Sequence, residues 1–415
     1  MIDGAGRHAL LFILIVVIID SVGLGIIVPV MPPLIVDLTG EPLSSAVLYG
    51  GWLTFVYALM QFLCGPVIGN LSDRFGRRTV LLVSMAMMGL DYLVMAIAPN
   101  IVWLFVGRTL AGAAGATMGT ASAYIADVTQ PADRAKSFGY IGGAFGIGFI
   151  IGPAVGGLLG ELGPRVPFFA ASCLAFINMA YGIFVLKESL PEGKRRAFAL
   201  LRANPIGALL SMRRYPVVLG VFGAIALYLV SLAVYESVWT FYTIFKFHWS
   251  VAQNGAALAA YGICAALVSA FLTGRTVRAL GETGTAQLGL IACFISFIGF
   301  AFAPFGWVMY PFIVASSLDV LVGPALRSIA SRSVPDSEQG ELQGAFSSVQ
   351  GAVAILAPLV LAETFHLFTA AGAPVQLPGA PMLLAALLLA MALVVVRRLV
   401  RPPAAAGEHR AKQEL

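Results

Sequence analysis

Charged side chains are scarce in this sequence, and long stretches contain none. Asp, Glu, Lys and Arg make up 11% of the 415 residues, whereas 59% are hydrophobic. A soluble domain has only about 45–50% apolar residues, and a bilayer core about 30 Å thick is crossed by about 20 apolar helical residues. The composition excludes a soluble globular protein and predicts a polytopic helical membrane protein. Charge is almost or wholly absent from residues 9–19, 46–69, 79–90, 136–160, 166–186, 216–235, 251–274, 283–318 and 375–396.

Cysteine and histidine are also few, which argues against disulfide, metal and redox chemistry. The four cysteines lie inside apolar stretches and form no C-x-x-C pair (Cys64, Cys173, Cys264 and Cys293). The four histidines lie at the ends of apolar stretches or near the termini. No G-x-x-x-x-G-K-S/T loop is present, so ATP is not expected as the energy source. We expect no cofactor and no bound metal.

The uncharged stretches predict an all-α membrane protein with twelve transmembrane helices. The first span follows Arg7 and imitates a signal peptide, but it lacks a small-residue cleavage site and carries Asp20 in its middle, so we expect it to be retained. The predicted spans 1 to 12 are residues 9–31, 46–69, 79–98, 101–126, 136–160, 166–187, 216–240, 252–273, 284–303, 306–332, 340–366 and 378–397.

The basic residues predict the orientation of the spans and the division of the chain. All 25 Lys and Arg except Arg108, Arg165 and Lys246 lie on the side of the N-terminus. Both termini are therefore predicted to be cytoplasmic, and the net charge of +5 reflects topology, not a nucleic-acid partner. We expect a first six-helix half at 1–187, a basic linker at 188–215, a second half at 216–397 and a tail at 398–415.

An internal repeat supports two halves. Shifting the sequence by 205 residues aligns special positions at equivalent places in each six-helix half: Gly50 with Gly255, Gly69 with Gly274, Gly76 with Gly281, Ala98-Pro99 with Ala303-Pro304, Gly139 with Gly344, and Pro153 with Pro358. The pattern predicts two pseudo-symmetric halves of the same orientation, which is the arrangement of the major facilitator fold. In that fold the substrate site lies near the midplane between the halves.

The segment GNLSDRFGRR (residues 69–78) is rich in charge and follows span 2. It matches the major facilitator loop pattern G-x-x-x-D-R-x-G-R-R. A generic positive-inside anchor would need arginines but not this Asp and Gly spacing. We expect it to form a short inner loop. In this loop Gly69 would let two helices approach and Gly76 would permit a tight turn. Asp73 would accept a hydrogen bond from an arginine or cap the next helix. We interpret it as a charge latch that holds the inner side of one half closed (Gly69, Asp73, Arg74, Gly76, Arg77 and Arg78). The second copy has Arg278 where Asp73 stands, so the latch is expected to be asymmetric.

Span 5 contains GIGFIIGPAVGG (residues 146–157), whose Gly148, Gly152 and Gly156 share one helix face and permit close helix contact. With Pro153 and Gly157 they resemble the span-5 signature of major facilitator antiporters, and LFVGRTLAGAAGA around Arg108 resembles the companion span-4 signature.

The chain resembles the twelve-helix drug/proton antiporters, most of all the tetracycline efflux pumps. The resemblance extends to DSVGLGIIVPVMP, YALMQFLCGPVIGNLSDRFGRR, LDYLVMAIAP, LGETGTAQLGLIA and EQGELQGAFSSVQGAVAILAPL.

This resemblance implies a proton-coupled secondary transporter that exports lipophilic drugs, tetracycline-like antibiotics or similar, by alternating access. It further implies a monomer in the inner membrane of a bacterium, with protons and a small lipophilic molecule as partners and no enzymatic activity. The alternative is a metabolite or sugar permease of the same fold. A membrane enzyme or sensor would need clustered catalytic groups or an appended soluble domain. The chain departs from the tetracycline pumps in having Ala265 and Phe294 where they have an intramembrane His on span 8 and Asp on span 9.

Ionisable groups inside the spans are candidate functional groups, because each costs several kcal/mol unless it is paired or faces water. Asp20 lies about 11 residues into span 1, or roughly 16 Å, near mid-membrane. It is predicted to be a proton or substrate-cation site, with a helix-packing hydrogen bond as the alternative. Asp91 and Arg108 flank the turn at Pro99-Asn100 at equal depth and are expected within about 4 Å. They either brace spans 3 and 4 or take part in proton exchange.

The second half contributes Glu236 in span 7 and Asp319 in span 10. Each is predicted to replace the missing span-9 acid as a proton-coupling group, to serve a different substrate, or to have a structural role. The residues expected to line a central substrate cavity are Tyr57, Gln61, Arg108, Trp239 and Gln350.

Overall fold

The computed structural model describes residues 4–115, 117–130, 133–191, 193, 195, 207, 209 and 211–399. Both termini, most of the predicted linker 188–215 and nearly all of the predicted tail 398–415 lie outside the described residues. Within the described residues the chain is helical and contains no strand. The helices are α1 Gly4–Ile27, α2 Met31–Thr39, α3 Leu43–Phe75, α4 Arg77–Ile97, α5 Ile101–Ala114, α6 Thr117–Val128, α7 Arg134–Gly160, α8 Val166–Val185, α9 Pro216–Ser237, α10 Trp239–Phe247, α11 Val251–Leu267, α12 Thr273–Phe302, α13 Met309–Ser316, α14 Val322–Arg332, α15 Gln339–Thr369 and α16 Ala380–Leu399.

The structure confirms the predicted fold class. Eleven stretches of the described residues are long and apolar enough to cross a membrane, and one of them, Val251–Phe302, is 52 residues long. That stretch covers two predicted spans, and Gly281 interrupts it with a φ of 69°, outside the helical region. Divided at Gly281, the stretches correspond to the twelve predicted spans.

Two predicted boundaries are wrong. Span 1 was expected to reach residue 31, but α1 ends at Ile27 and a separate helix begins at Met31. The prolines at positions 32 and 33 explain this, because proline favours the first turn of a helix and ends a preceding one. Residues 69–75 were expected in a loop, but α3 continues to Phe75 and only Gly76, with a φ of 99°, leaves the helix.

The two halves repeat in backbone conformation as well as in sequence. Gly76 and Gly281 both have positive φ, and Ala98 and Ala303 both have φ −53° and ψ 122°. We call the end of the bundle that contains Gly76 and Gly281 the linker end, and the end that contains Ala98 and Ala303 the far end.

The halves contact each other at the far end. Helix α7 packs against α11, and α3 packs against α15. A Cβ on Gly255 would strike the carbonyl oxygen of Pro153, and a Cβ on Gly51 would lie 3.1 Å from the carbonyl oxygen of Pro358. The repeat therefore places a proline-containing helix against a glycine of the other half on both sides of the interface.

Polar contacts between the halves occupy the same end. The backbone N–H of Ala252 donates to the Glu161 carboxylate at 2.9 Å, which lowers the pKa of Glu161. The His366 Nδ1 lies 2.6 Å from the carbonyl oxygen of Ser44. Both contacts lie near Ala98 and Ala303, at the far end of the bundle. The halves are thus closed at the far end in this conformation.

The same helices separate toward the linker end. On α3 and α7 the glycines there have open space beside them, with no neighbouring atom within 4 Å of an added Cβ (Gly65, Gly69, Gly139, Gly142, Gly143 and Gly146), whereas a Cβ on Gly351 of α15 would still meet Phe62 of α3. The far-end glycines of the same helices contact backbone or side chains of their neighbours. The two halves therefore form a cleft that is open at the linker end.

The contact between α1 and α7 gives a stability prediction. A Cβ on Gly152 would lie 2.7 Å from both the Cα of Gly25 and the carbonyl oxygen of Val22, whereas a Cβ on Gly146 of the same helix meets nothing. Gly152→Val should destabilise the protein by about 1–3 kcal/mol or more, the usual cost of overpacking, because backbone atoms cannot move aside. Thermal unfolding of the purified protein measures this effect. Gly146→Val is the matched control, and equal unfolding temperatures for the two variants would refute the contact.

Candidate functional site

A cavity of about 320 Å³ lies between the two halves, in the size range of small-molecule sites. Residues of α1, α2, α3, α5 and α7 from the first half and of α9 and α10 from the second line it. The lining is mostly aliphatic and aromatic, with a few polar groups placed among these surfaces. The lining residues are Leu24, Ile27, Val28, Met31, Pro32, Gly50, Leu53, Thr54, Tyr57, Gln61, Arg108, Phe145, Phe149, Glu236, Ser237, Thr240 and Phe241.

Arg108 and Asp91 form a buried ion pair beside this cavity. The Nη2 of Arg108 donates to Oδ2 of Asp91, so the turn at Pro99-Asn100 brings the two groups together at one depth as predicted. A Cβ on Gly107 would lie 2.5 Å from Oδ1 of Asp91, so only glycine leaves room for the carboxylate. The Arg108 guanidinium also lies over the ring of Tyr57, 5.2 Å from its centre. The positive charge of Arg108 is therefore already neutralised.

Asp20 lines a smaller pocket next to the cavity. Tyr57 and Gln61 line both spaces, so the Asp20 carboxyl lies one side chain away from the substrate-sized cavity. Gln61 donates to the carbonyl oxygen of Gly115 at 2.9 Å, at the break between α5 and α6. No described residue makes an ion pair or side-chain hydrogen bond with Asp20. A half-buried carboxyl with this setting can accept or release a proton without breaking a fixed contact.

Glu236 lies on the wall of the cavity that belongs to the second half. It is exposed to that space and is the penultimate residue of α9, which ends at Ser237. It also lines a pocket of about 140 Å³ that includes Phe149 and Tyr261. No described residue forms an ion pair or side-chain hydrogen bond with its carboxyl group.

Asp319 is buried in the second half, away from the central cavity. The hydroxyl of Tyr261 donates to its Oδ2 at 2.7 Å, and the hydroxyl of Tyr228 donates to its backbone carbonyl at 3.0 Å. Its Oδ1 is buried and has no described partner. The residue lies in a 3₁₀ segment, Ser317–Leu321, which interrupts the span between α13 and α14. Such mid-helix segments often mark hinges or functional positions.

Two residues predicted to line the cavity do not line it. Trp239 is buried in an aromatic cluster, with its ring 5.1 Å from that of Phe300 and 5.5 Å from that of Tyr235. Gln350 is exposed on α15 and lies outside the cavity lining.

The sequence reasoning missed Phe145 and Phe149, which are one helical turn apart on α7 and whose rings stack at 5.9 Å. Their i, i+4 spacing was the available signal.

The predicted latch is organised around Arg77. Its guanidinium binds Asp73 at 2.6 Å and Asp127, at the end of α6, at 3.2 Å. Its backbone N–H donates to the Glu188 carboxylate at 2.8 Å, so Glu188 caps α4 and Asp73 does not. Arg78 donates to the carbonyl oxygen of Ile183 at 2.7 Å, and Arg74 lies over the ring of Phe75, 5.1 Å from its centre.

One element of the predicted latch is wrong in this conformation. A Cβ on Gly69 would meet no neighbouring atom within 4 Å, so Gly69 does not let two helices approach. The described latch contacts join α3, α4, α6, α8 and Glu188, the first residue of the predicted linker, and none of them reaches the second half. The latch thus fixes the linker end of one half without holding the other.

The second half has an equivalent clamp with reversed charges. Glu282 binds Arg332 at 2.8 Å and accepts from the hydroxyl of Ser328 at 2.5 Å. At the repeat offset of 205 residues, Glu282 corresponds to Arg77 and Arg332 corresponds to Asp127. The Glu282–Arg332 pair thus repeats the Arg77–Asp127 pair with opposite polarity, whereas Arg278, the counterpart of Asp73, donates to the carbonyl oxygen of Gly274 at 3.1 Å.

The span-5 glycines pack against two different helices. A Cβ on Gly148 would lie 2.5 Å from the Cβ of Ser21, and added atoms on Gly152 and Gly156 would also strike α1. Gly157 faces the other half, where a Cβ would lie 2.9 Å from the carbonyl oxygen of Val251. The motif joins α7 both to its own half and to α11.

Comparisons with known proteins agree with this architecture. The family model described as Major Facilitator Superfamily matches residues 13–358. The tetracycline resistance protein of class C from Escherichia coli is 37% identical over 359 residues, covering 86% of this chain and 90% of the relative. The class G protein from Vibrio anguillarum is 36% identical, covering 85% and 89%. Multidrug resistance protein 2 from Bacillus subtilis is 28% identical, covering 85% and 87%.

Solved structures show the same fold at lower sequence identity. The nucleoside transporter NupG matches with a TM-score of 0.78 and 15% identity, covering 95% of this chain and all of the other. A bacterial homolog of the human lysosomal transporter Spinster matches with a TM-score of 0.78 and 15% identity, covering 98% and 100%. The fold, the repeat and the family model lead to one conclusion: this chain is a multi-pass membrane protein of the major facilitator superfamily.

Proposed function

We propose that this protein is a proton-coupled secondary transporter that exports lipophilic drugs, tetracycline-like antibiotics or similar, by alternating access. The observation that carries the proposal is the central cavity between the halves, with the unpaired carboxyl of Asp20 next to it. The names of the similar proteins, tetracycline resistance and multidrug resistance proteins, support the substrate class. The protein works as a monomer in a bacterial inner membrane, with both termini and the linker end in the cytoplasm.

The conformation suggests how the substrate is moved. With the linker end in the cytoplasm, the cleft is open inward and a drug reaches the apolar cavity from that side or from the inner leaflet. The far-end contacts of Gly51 and Gly255 close the exit. Export requires these contacts to separate while the linker ends of the halves come together. The clamps at Arg77 and Glu282 keep each half rigid during that movement.

Asp20 couples this movement to protons. A charged carboxylate near mid-membrane is costly without a partner or water, so its ionised form favours the conformation in which it is hydrated. Asp20 takes up a proton when the cavity faces outward and loses it when the cavity faces inward. Asp91 and Arg108 keep each other neutral and fix the depth of α4 against α5. Asp319, held by Tyr261, is the next candidate for a coupling group.

Replacing Asp20 tests the coupling. Asp20→Asn should abolish uphill, pH-driven export in proteoliposomes, because the amide cannot exchange a proton in this range. Downhill substrate exchange should persist, because alternating access itself needs no net proton movement. Asp37→Asn is the matched control, since Asp37 is exposed and lies 3.6 Å from Arg165 outside the cavity, where ion pairs contribute little.

Two outcomes would contradict the assignment of Asp20. If the Asp20→Asn variant still concentrates substrate against its gradient, the coupling group is elsewhere. If uphill export and downhill exchange are lost equally, Asp20 serves substrate binding or folding instead.

Replacing Asp73 tests the latch. Asp73→Asn removes a charged partner of Arg77 and should lower the export rate at least about threefold, allowing for the partial exposure of the pair. Expression and unfolding temperature should stay close to wild type. Asp133→Asn is a suitable control at the same end, because Asp133 has no described side-chain partner. Near-normal export by the Asp73 variant would remove the latch from the mechanism.

A further inference from the structure

A groove of about 420 Å³ lies on the outer surface of the bundle, between α3 of the first half and α15 of the second. Among the described residues, none lines both this groove and the central cavity. On α3, Leu53 and Tyr57 line the central cavity, whereas Trp52 lies on a different face of the helix and lines the groove. In a chain that spans a membrane, an outward recess of this kind is covered by lipid. Its apolar lining includes Leu48, Trp52, Leu359, Val360 and Leu367.

The groove lies near the membrane surface at the far end. Helix α15 ends at Thr369, six residues beyond Glu363, which is about 9 Å along the helix axis. Trp52 lies nine residues after Leu43, the first residue of α3, or about 14 Å along that axis. Half of a bilayer core is about 15 Å thick. The groove therefore extends from the headgroup boundary into the acyl chains of one leaflet, the level at which tryptophan is enriched.

Glu363 is the charged residue of the groove. It is exposed on the outer surface, and no described residue forms an ion pair or side-chain hydrogen bond with its carboxyl group. The neighbouring Thr364 hydroxyl donates to the carbonyl oxygen of Val360 at 2.7 Å and so not to Glu363. Acidic residues in membrane spans almost always face the bundle interior or water, because an unpaired charge against lipid costs several kcal/mol. The carboxylate therefore needs a cationic partner from outside the chain.

A phospholipid with a primary ammonium headgroup fits both parts of the groove. An ammonium group has three N–H donors, and its hydrogen bond to a carboxylate is charge-assisted. The ring of Trp52, which is half exposed, lines the same groove and adds attraction for a cation. The acyl chains would cover the leucine and valine side chains of the lining. A phospholipid with an uncharged alcohol headgroup would bring only its negative phosphate to Glu363 and would be repelled.

We infer that the groove at Glu363 is a lipid-binding site that selects ammonium-bearing phospholipids from the leaflet at the far end. The site is shared by both halves, because Trp52 belongs to α3 and Glu363 to α15. It borders their contact, since Ala362 lines the groove and a Cβ on Gly51 would lie 2.8 Å from the Cβ of Ala362. This inference does not depend on the identity of the transported substrate.

Quenching of Trp52 fluorescence by brominated lipids tests the inference at the groove itself. The full-length protein is reconstituted in phosphatidylcholine with an equal mole fraction of phosphatidylethanolamine or phosphatidylglycerol, each brominated near the top of its acyl chains. The difference between the wild-type protein and Trp52→Phe isolates the signal of Trp52. The relative association constant for the groove should favour the ethanolamine lipid about threefold or more, as expected for a partly exposed charged contact.

The variants then locate the preference. Glu363→Gln should make the two constants equal within error, and Glu363→Lys should reverse their order. Glu41→Gln is the matched control, because Glu41 lies at the same end of the bundle, between α2 and α3, and does not line the groove; it should leave the preference unchanged. Since Glu363 and Glu41 are both exposed, the unfolding temperatures of these variants should stay close to wild type.

Several results would overturn the inference. Equal quenching of Trp52 by the two lipids in the wild-type protein would do so without any variant. An unchanged preference in Glu363→Gln would show that another group selects the lipid. Loss of the preference in Glu41→Gln as well would indicate a general effect of surface charge. If neither lipid quenches Trp52, another protein surface covers the groove and lipid does not enter it.

Discussion

The ion pair between Asp91 and Arg108 determines the electrostatics of the whole transport site. A lone charge in the bilayer interior costs several kcal/mol, and removing one partner of a buried pair is more damaging than never having had the pair. Because Arg108 is committed to Asp91 and stacked over Tyr57, it is not available to neutralise Asp20 or Glu236. The Asp20 carboxyl, which has no fixed partner, is left for an exchangeable ligand, and we propose that this ligand is the proton. Because Arg108 stays paired with Asp91, a carboxyl group beside this ion pair can gain and lose its own partner.

The opening of the cleft alternates between the two ends of the bundle. In this conformation the two halves make close contacts at the far end and lie apart at the linker end. At the far end, glycines let backbone approach backbone, as at Gly51 with Pro358 and Gly255 with Pro153. Such contacts have no long side chains that adapt gradually, so the halves either fit or separate. At the linker end, each half is held by its own ion pair, with Arg77 in the first and Glu282 in the second. The halves can therefore move as rigid units.

Sequence reasoning succeeded where chain geometry alone decides the outcome. The spans follow from the length of uncharged runs, and the Asp91–Arg108 pair follows from equal distances to a tight turn. It failed where the result depends on which face of a helix meets a neighbour. Helices that are apolar all round give no polar face to mark a cavity, so Trp239 was assigned to the cavity although it packs in an aromatic core. The role of Gly69 was mispredicted for the same reason, because the sequence does not show which helix face lies against a neighbour.

The central claim is that one site exchanges a proton for a drug, and proton release on binding measures it most directly. Purified protein in weakly buffered detergent solution, near neutral pH, is mixed with tetracycline while a pH-sensitive dye reports released protons. The account predicts that the wild-type protein releases protons on substrate binding and that Asp20→Asn releases none while still binding the substrate. Equal proton release by the two proteins, or substrate binding by the wild type without any release, would contradict it.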